Sequence, residues 1–156
     1  MIFVTVGSQL PFGRLIDAMD GLAAVLDEDI VAQTGQIGPW QNLSTVTNLA
    51  PDAFAELFMA ARVVVAHAGI GTVLSAERYR IPLILVPRRH ILGEHRNDHQ
   101  MATARALEGR TGIYVAWQVD AVADLLNRSS LMPVEAESNY SRDTFLIRLK
   151  RILEQS

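Results

Sequence analysis

The apolar positions of this chain fall into short β-rich runs that alternate with stretches of helical spacing. Ile2-Phe3-Val4-Thr5-Val6 ends at Gly7 and predicts a buried strand. Phe12, Leu15, Ile16, Met19, Leu22 and Leu26 then form one helical stripe, with Pro11 suited to that helix's first turn. Asp29 to Gln33 predicts a second strand, stopped by Gly35, Gly38 and Pro39, and Ser44 to Leu49 a third. Pro51 and Asp52 open a helix that carries Phe54, Leu57 and Phe58 inward. Val63-Val64-Val65-Ala66 is the clearest central strand, followed by a helix to about Tyr79. Pro82 to Val86 is another strand, then a polar loop from Pro87 to Asn97 and a helix through Leu107. Gly112 to Ala116 and Val119 to Asn127 supply the last strand and helix.

Strands alternating with helices imply an α/β fold, a Rossmann-like parallel sheet covered on both faces, over residues 1–128. Ligands of such sheets sit beyond the carboxyl ends of the strands. Residues 129–138 read as a linker around Pro133, and 139–156 as a C-terminal amphipathic helix. In that helix Phe145, Leu149, Ile152 and Leu153 make an i, i+4, i+7, i+8 stripe. The stripe suits packing back on the chain's own domain; its other use is docking a partner.

Composition narrows the function classes. With 156 residues, 49% hydrophobic and 20% charged, the chain reads as one soluble globular domain. A net charge of -3 argues against a nucleic-acid surface. The absence of cysteine rules out disulfides and thiolate metal sites and fits a reducing cytoplasm. The four histidines lack metal-ligand spacing, so no metal is expected. No apolar run approaches the roughly 18 residues of a membrane span. Met1 to Gly7 lacks the basic region and apolar length of a signal peptide. A membrane role would need another molecule to hold the chain there.

Three loops, each after a predicted strand, carry the candidate chemistry. Gly7-Ser8-Gln9 combines a residue that permits a sharp turn with two polar side chains. His67-Ala68-Gly69-Ile70-Gly71-Thr72 opens a helix, whose free N–H groups and dipole suit a diphosphate. It is not a dinucleotide fingerprint, since Leu74 stands where the third glycine belongs, and no Walker loop is present. The third loop, Arg88-Arg89-His90-Ile91-Leu92-Gly93-Glu94-His95-Arg96-Asn97-Asp98-His99-Gln100, mixes cations, carboxylates and amides. That mixture suits a polyhydroxylated, partly anionic ligand better than a plain solvated face.

These segments, in order and at these spacings, resemble the glycosyltransferase family 28 C-terminal domain in its stand-alone form. The resemblance rests on Met1 to Gln9 with Pro11-Phe12 and Arg14-Leu15, and on Val31-Ala32-Gln33 with Gly35. It rests equally on His67 to Thr72, Pro82 to Arg88 and Gly93 to Gln100. It is nearest to the small subunit of two-subunit bacterial exopolysaccharide transferases, typified by β-1,4-glucuronosyltransferases. The donor-binding subunit of the eukaryotic dolichol-linked GlcNAc transferase is a more distant relative.

The resemblance implies the C-terminal, donor-binding half of a GT-B fold and an inverting UDP-sugar transferase that is inactive alone. The implied partner is a membrane-associated acceptor-binding subunit that supplies the base, and the implied acceptor is a lipid-linked saccharide. The chain would lie in the cytoplasm, at the inner face of the plasma membrane through that partner, with no cofactor. Gly7, Ser8, Gln9, Gln33, Gly35, His67, Ala68, Gly69, Ile70, Gly71 and Thr72 would surround the UDP. Arg88, Arg89, Glu94, His95, Asn97, Asp98, His99 and Gln100 would surround the sugar. One position departs from the family. Ser75 stands where many relatives carry a ribose-binding Glu, and Glu77, about 200° further round the helix, cannot replace it. Competing readings are a non-catalytic enhancer of a transferase, a subunit using UDP-GlcNAc or UDP-galactose, and a generic nucleotide-binding Rossmann domain.

Overall fold

A computed structural model describes residues 1–136 and 139–155, with side chains for 1–136 and 143–155. The strands are β1 (Ile2–Thr5), β2 (Ile30–Gln33), β3 (Ser44–Val46), β4 (Val63–His67), β5 (Leu83–Val86) and β6 (Ile113–Val115). The helices are α1 (Gly13–Ala23), α2 (Pro51–Ala60), α3 (Ile70–Tyr79), α4 (His99–Leu107), α5 (Ala121–Leu126) and α6 (Asn139–Gln155). All pairings are parallel, in the order β3-β2-β1-β4-β5-β6.

Alternation along each strand builds two cores. Ile2, Val4, Val63, Val65, Ile84 and Val86 face one side, where α1 and α5 cover them with Leu15, Ile16, Met19, Val122 and Leu126. Phe3, Val64, Ala66, Leu83 and Leu85 face the other, under Phe58, Val73, Ala76, Ala104 and Leu107 of α2, α3 and α4. Successive side chains of a strand point to opposite faces, so a sheet covered on both sides needs apolar residues in succession. The four-residue runs IFVT and LILV supply them.

The chain leaves β1 toward β2 and β3 on one side, then returns to β4 and builds β5 and β6 on the other. The carboxyl ends of β1 and β4 therefore bound the crevice at the switch of direction, where ligands of such sheets bind.

Among the boundaries that differ from the hydrophobic reading are the start of α1 and the end of β3. Pro11 lies ahead of α1, whose N-cap is Phe12. The Leu10 carbonyl just before it is held by the Arg88 guanidinium, which draws that stretch out of the helix. β3 stops at Val46, although the N–H groups of Thr34 and Gly35 continue to the carbonyls of Val46 and Thr47.

Residues 129–136 carry no regular secondary structure and run as a strap over the domain. Val134 is fully buried and the Met132 N–H donates to the Tyr114 hydroxyl at 2.8 Å. Glu137 and Ser138 of the expected linker lie outside the described residues. α6 then packs against α4. Leu149 is buried, Phe145 joins the second core, and the Arg110 guanidinium sits 5.0 Å above the Phe145 ring. Burying an aliphatic side chain of this size stabilises by about 1.5–3 kcal/mol, so the stripe is used on the domain itself. Among the described residues no helix is long and apolar enough to cross a membrane.

Candidate functional site

The turn after β1 is set by a buried threonine. Thr5 Oγ1 donates to Gln33 Oε1 at 2.6 Å and accepts the Gly7 N–H at 3.2 Å. Gly7 turns with φ +75°, a conformation that L side chains adopt only with strain. Ser8 and Gln9 are thereby left exposed at the edge of the sheet.

The turn after β4 leads into α3. Gly69 is the N-cap, and its N–H folds back to the His67 carbonyl at 2.9 Å. The first amides of a helix have no partner within it, and the residues of this first turn, Ile70, Gly71 and Thr72, line the crevice. The His67 ring lies between the two turns. A Cβ on Gly7 would stand 2.8 Å from its Cε1, and one on Gly69 would overlap its Nε2. A Cβ on Gly71 would meet nothing within 4 Å. Burial pushes the His67 pKa down to about 4, helped by the charges of Arg88 and His95 and opposed by the Thr5 carbonyl. The imidazole is therefore neutral at physiological pH, with Nδ1 buried and without a hydrogen-bond partner.

The loop after β5 is tied inward at both ends. Gln100 Oε1 accepts the Arg88 N–H at 3.0 Å and the Ala68 N–H at 3.2 Å, clamping this loop to the β4 turn. Arg88 Nη2 donates to the carbonyls of Val6 at 2.8 Å and Leu10 at 2.5 Å, clamping it to the β1 turn. His95 Nδ1 pairs with Asn97 Oδ1 at 3.0 Å, the same oxygen that accepts the His99 N–H at 3.1 Å. His99 Nε2 is buried without a partner.

The three loops enclose a cleft of about 550 Å³ at the carboxyl ends of β1, β4 and β5. Its lining holds Arg88, three histidines (His67, His95 and His99) and several amide and hydroxyl groups, and among the described residues no Asp, Glu or Lys. Such a cleft suits an anion that carries hydroxyl groups. Among the described residues no cluster of three or more metal-ligating side chains exists.

Residues 1–144 match the glycosyltransferase family 28 C-terminal domain. This chain belongs to that family. No curated protein matches it. Among solved structures, the NMR solution structure of ALG13 is similar at a TM-score of 0.61 and 17% identity, over 94% of each chain. The glycosyltransferase SnogD from Streptomyces nogalater gives 0.56 and 20%, covering 98% of this chain and 38% of that one. The glycosyltransferase SsfS6 from Streptomyces sp. SF2575, complexed with thymidine diphosphate, gives 0.58 and 19%, covering 97% and 35%. The chain thus spans little more than a third of those two enzymes. At these identities the likeness is one of fold, that of the C-terminal half of a GT-B glycosyltransferase.

Within this family 28 domain, the expected nucleotide residues divide. Gly7, Ser8, Gln9, His67, Ala68, Gly69, Ile70, Gly71 and Thr72 line the cleft, whereas Gln33 and Gly35 do not. Gln33 is 6% exposed and acts from behind, through Thr5. Gly35 backs the same turn, 3.6 Å from Val6 Cγ2 measured from where its Cβ would be.

The expected sugar residues divide likewise. Arg88, His95, His99 and Gln100 line the cleft; Arg89, Glu94, Asn97 and Asp98 do not. Glu94 accepts from Arg14 at 2.6 and 3.0 Å and from the Arg89 N–H at 2.9 Å. Arg89 donates to the Trp117 carbonyl, and Asp98 accepts the His90 N–H. These four build the loop rather than the cleft. Ser75 faces the cleft with its hydroxyl donated to the Gly71 carbonyl, while Glu77 points away and lies 3.8 Å from Arg110. Thr5, Val6, Leu10, Phe54, Thr103 and Leu153 complete the lining among the described residues. Thr103 lies one turn beyond His99, so the helical period pointed to it; nothing local marks Leu153, which α6 delivers from far along the chain.

Proposed function

We propose that this chain is the donor-binding subunit of an inverting UDP-sugar glycosyltransferase. Its reaction would be β-1,4-glucuronosyl transfer to a lipid-linked saccharide in exopolysaccharide synthesis. One observation carries the reading: the first turn of α3, whose leading amides have no partner within the helix, lines a cleft with Arg88 and three histidines, and among the described residues no carboxylate lines it. Backbone N–H groups at a helix N-terminus, in the helix dipole's field, hold a diphosphate without a metal. His95, His99 and the Gln100 NH₂ group lie in the same lining and offer partners to sugar hydroxyls. The orphaned His99 Nε2 is the kind of buried polar atom that a ligand completes. Uridine as the base, and glucuronate as the sugar, come from the resemblance to exopolysaccharide transferases.

An inverting displacement needs a general base within hydrogen-bond reach of the acceptor hydroxyl. Among the described residues the cleft lining holds no carboxylate, and His67 is buried on its floor. The resemblance to two-subunit transferases assigns the base and the acceptor surface to a membrane-associated partner, which would also hold this chain at the inner face of the plasma membrane. Calorimetry of UDP against the wild-type chain and Gly71→Val tests the reading. Binding by the first and not by the folded second supports it. No binding by the wild-type chain favours a non-catalytic enhancer instead.

A further inference from the structure

Arg88 is a buried cation without a carboxylate of its own. It is 3% exposed, and its Cζ lies 5.0 Å above the Phe12 ring. Nη2 is occupied by the carbonyls of Val6 and Leu10, while Nε is buried without a partner. Glu94, the one carboxylate that acts on it through space, is bonded to Arg14. Burial draws its pKa down to about 10, which still leaves it charged at neutral pH. An ion removed from water without a counter-ion costs the folded state free energy that carbonyl dipoles and a ring face offset only in part. Such an arrangement is completed when a charge of opposite sign arrives.

Arg88 also differs in placement from the other arginines of its loop. Arg89 is turned to the Trp117 carbonyl, and neither Arg89 nor the exposed Arg96 lines the cleft. Arg88 does, and among the described residues it is the one side chain of the lining that carries a full charge across the whole physiological pH range.

We propose that Arg88 is the countercharge of the cleft, meeting an anionic oxygen of the nucleotide sugar with the part of its guanidinium that the loop carbonyls leave free. The proposal rests on the donor-binding reading above. The anionic oxygen belongs either to the diphosphate or to a uronate carboxylate, both of which match a planar guanidinium.

The test titrates UDP, UDP-glucose and UDP-glucuronate into the wild-type chain, Arg88→Lys and Arg88→Gln by calorimetry, with circular dichroism to check folding. Arg88→Gln is expected to lose at least about tenfold in affinity, the scale of a charge-assisted contact, and Arg88→Lys less. An equal loss for all three ligands assigns Arg88 to the diphosphate, and a loss confined to UDP-glucuronate assigns it to the sugar carboxylate. Unchanged affinities in a folded Arg88→Gln overturn the proposal while leaving the donor-binding reading intact. A wild-type chain that binds none of the three removes both. If Arg88→Gln fails to fold, the Nε–H resonance of Arg88 in the ¹⁵N-labelled wild-type chain decides. Its shift on adding ligand supports the contact, and an unmoved resonance at saturation overturns it.

Discussion

The ring of His67 stands where a side chain on Gly7 would have to go, with Cε1 2.8 Å from the position of a Cβ at residue 7. The two turns of the cleft are thus fitted around one imidazole, which Gly69 flanks as well. Gly7→Ala must strain a φ of +75° and displace the ring, at a cost of about 1–3 kcal/mol. In a His67→Ala background the same substitution should cost less, because only the backbone strain remains. Urea denaturation of the four proteins measures that coupling. Additive costs would show that ring and turn are independent.

Gly71 offers the cleaner probe of ligand binding. A side chain there points into open space, so Gly71→Val should change stability by no more than about 1 kcal/mol. It should nonetheless abolish UDP binding, since the space is the approach to the α3 amides. A folded variant with wild-type affinity would place the diphosphate elsewhere.

His67 also makes stability depend on pH. Its folded pKa of about 4 lies below the unfolded value of 6.5. Between those values the unfolded chain binds more protons than the folded one, so stability rises with pH. The contribution is complete above about pH 6.5 and is lost as the pH falls through 4, in all on the order of 3 kcal/mol. Melting temperatures from pH 4.5 to 7.5 should fall more steeply on the acid side for the wild-type chain than for His67→Gln. Parallel profiles would contradict a buried neutral imidazole.

Thr5 lines the cleft, and Gln33 acts on it from behind, through Thr5. Thr5→Val removes the donor to Gln33 Oε1 and the acceptor of the Gly7 N–H. Leaving such groups unpaired costs about 1–3 kcal/mol, and UDP affinity should fall with it as the Gly7 turn loosens. Chemical denaturation and calorimetry on one variant read both effects, and a stable Thr5→Val with intact affinity would discount the bond.

Leu153→Asp should lower UDP affinity several-fold, because it puts a carboxylate into the lining of a cleft that is to hold an anion. Ile147→Asp, on the exposed side of the same helix, should leave it unchanged. Equal behaviour of the two variants would separate α6 from the cleft.

How much of this was legible beforehand follows from the range of the forces involved. Phe3 and Val4 point to opposite cores because a strand has period two, so strand assignments could be made residue by residue. The meeting of three loops at one edge followed from parallel topology. The direction of each polar side chain did not. Glu94 is claimed by Arg14, 80 positions away, and Gln33 by Thr5, 28 positions away. No local pattern in the sequence marks either pairing. Leu153 reaches the cleft only because α6 settles on α4, which depends on packing across the whole domain.

That last placement ties two equilibria together. One end of α6 is fastened to the body through Phe145 beneath Arg110, and its far end lends Leu153 to the cleft. A ligand that touches Leu153 therefore steadies the whole helix, and by reciprocity whatever steadies or lifts the helix changes the hold on that ligand by the same free energy. The helix is a handle on the cleft: a molecule gripping its outer face would tune the affinity for the ligand without entering the site.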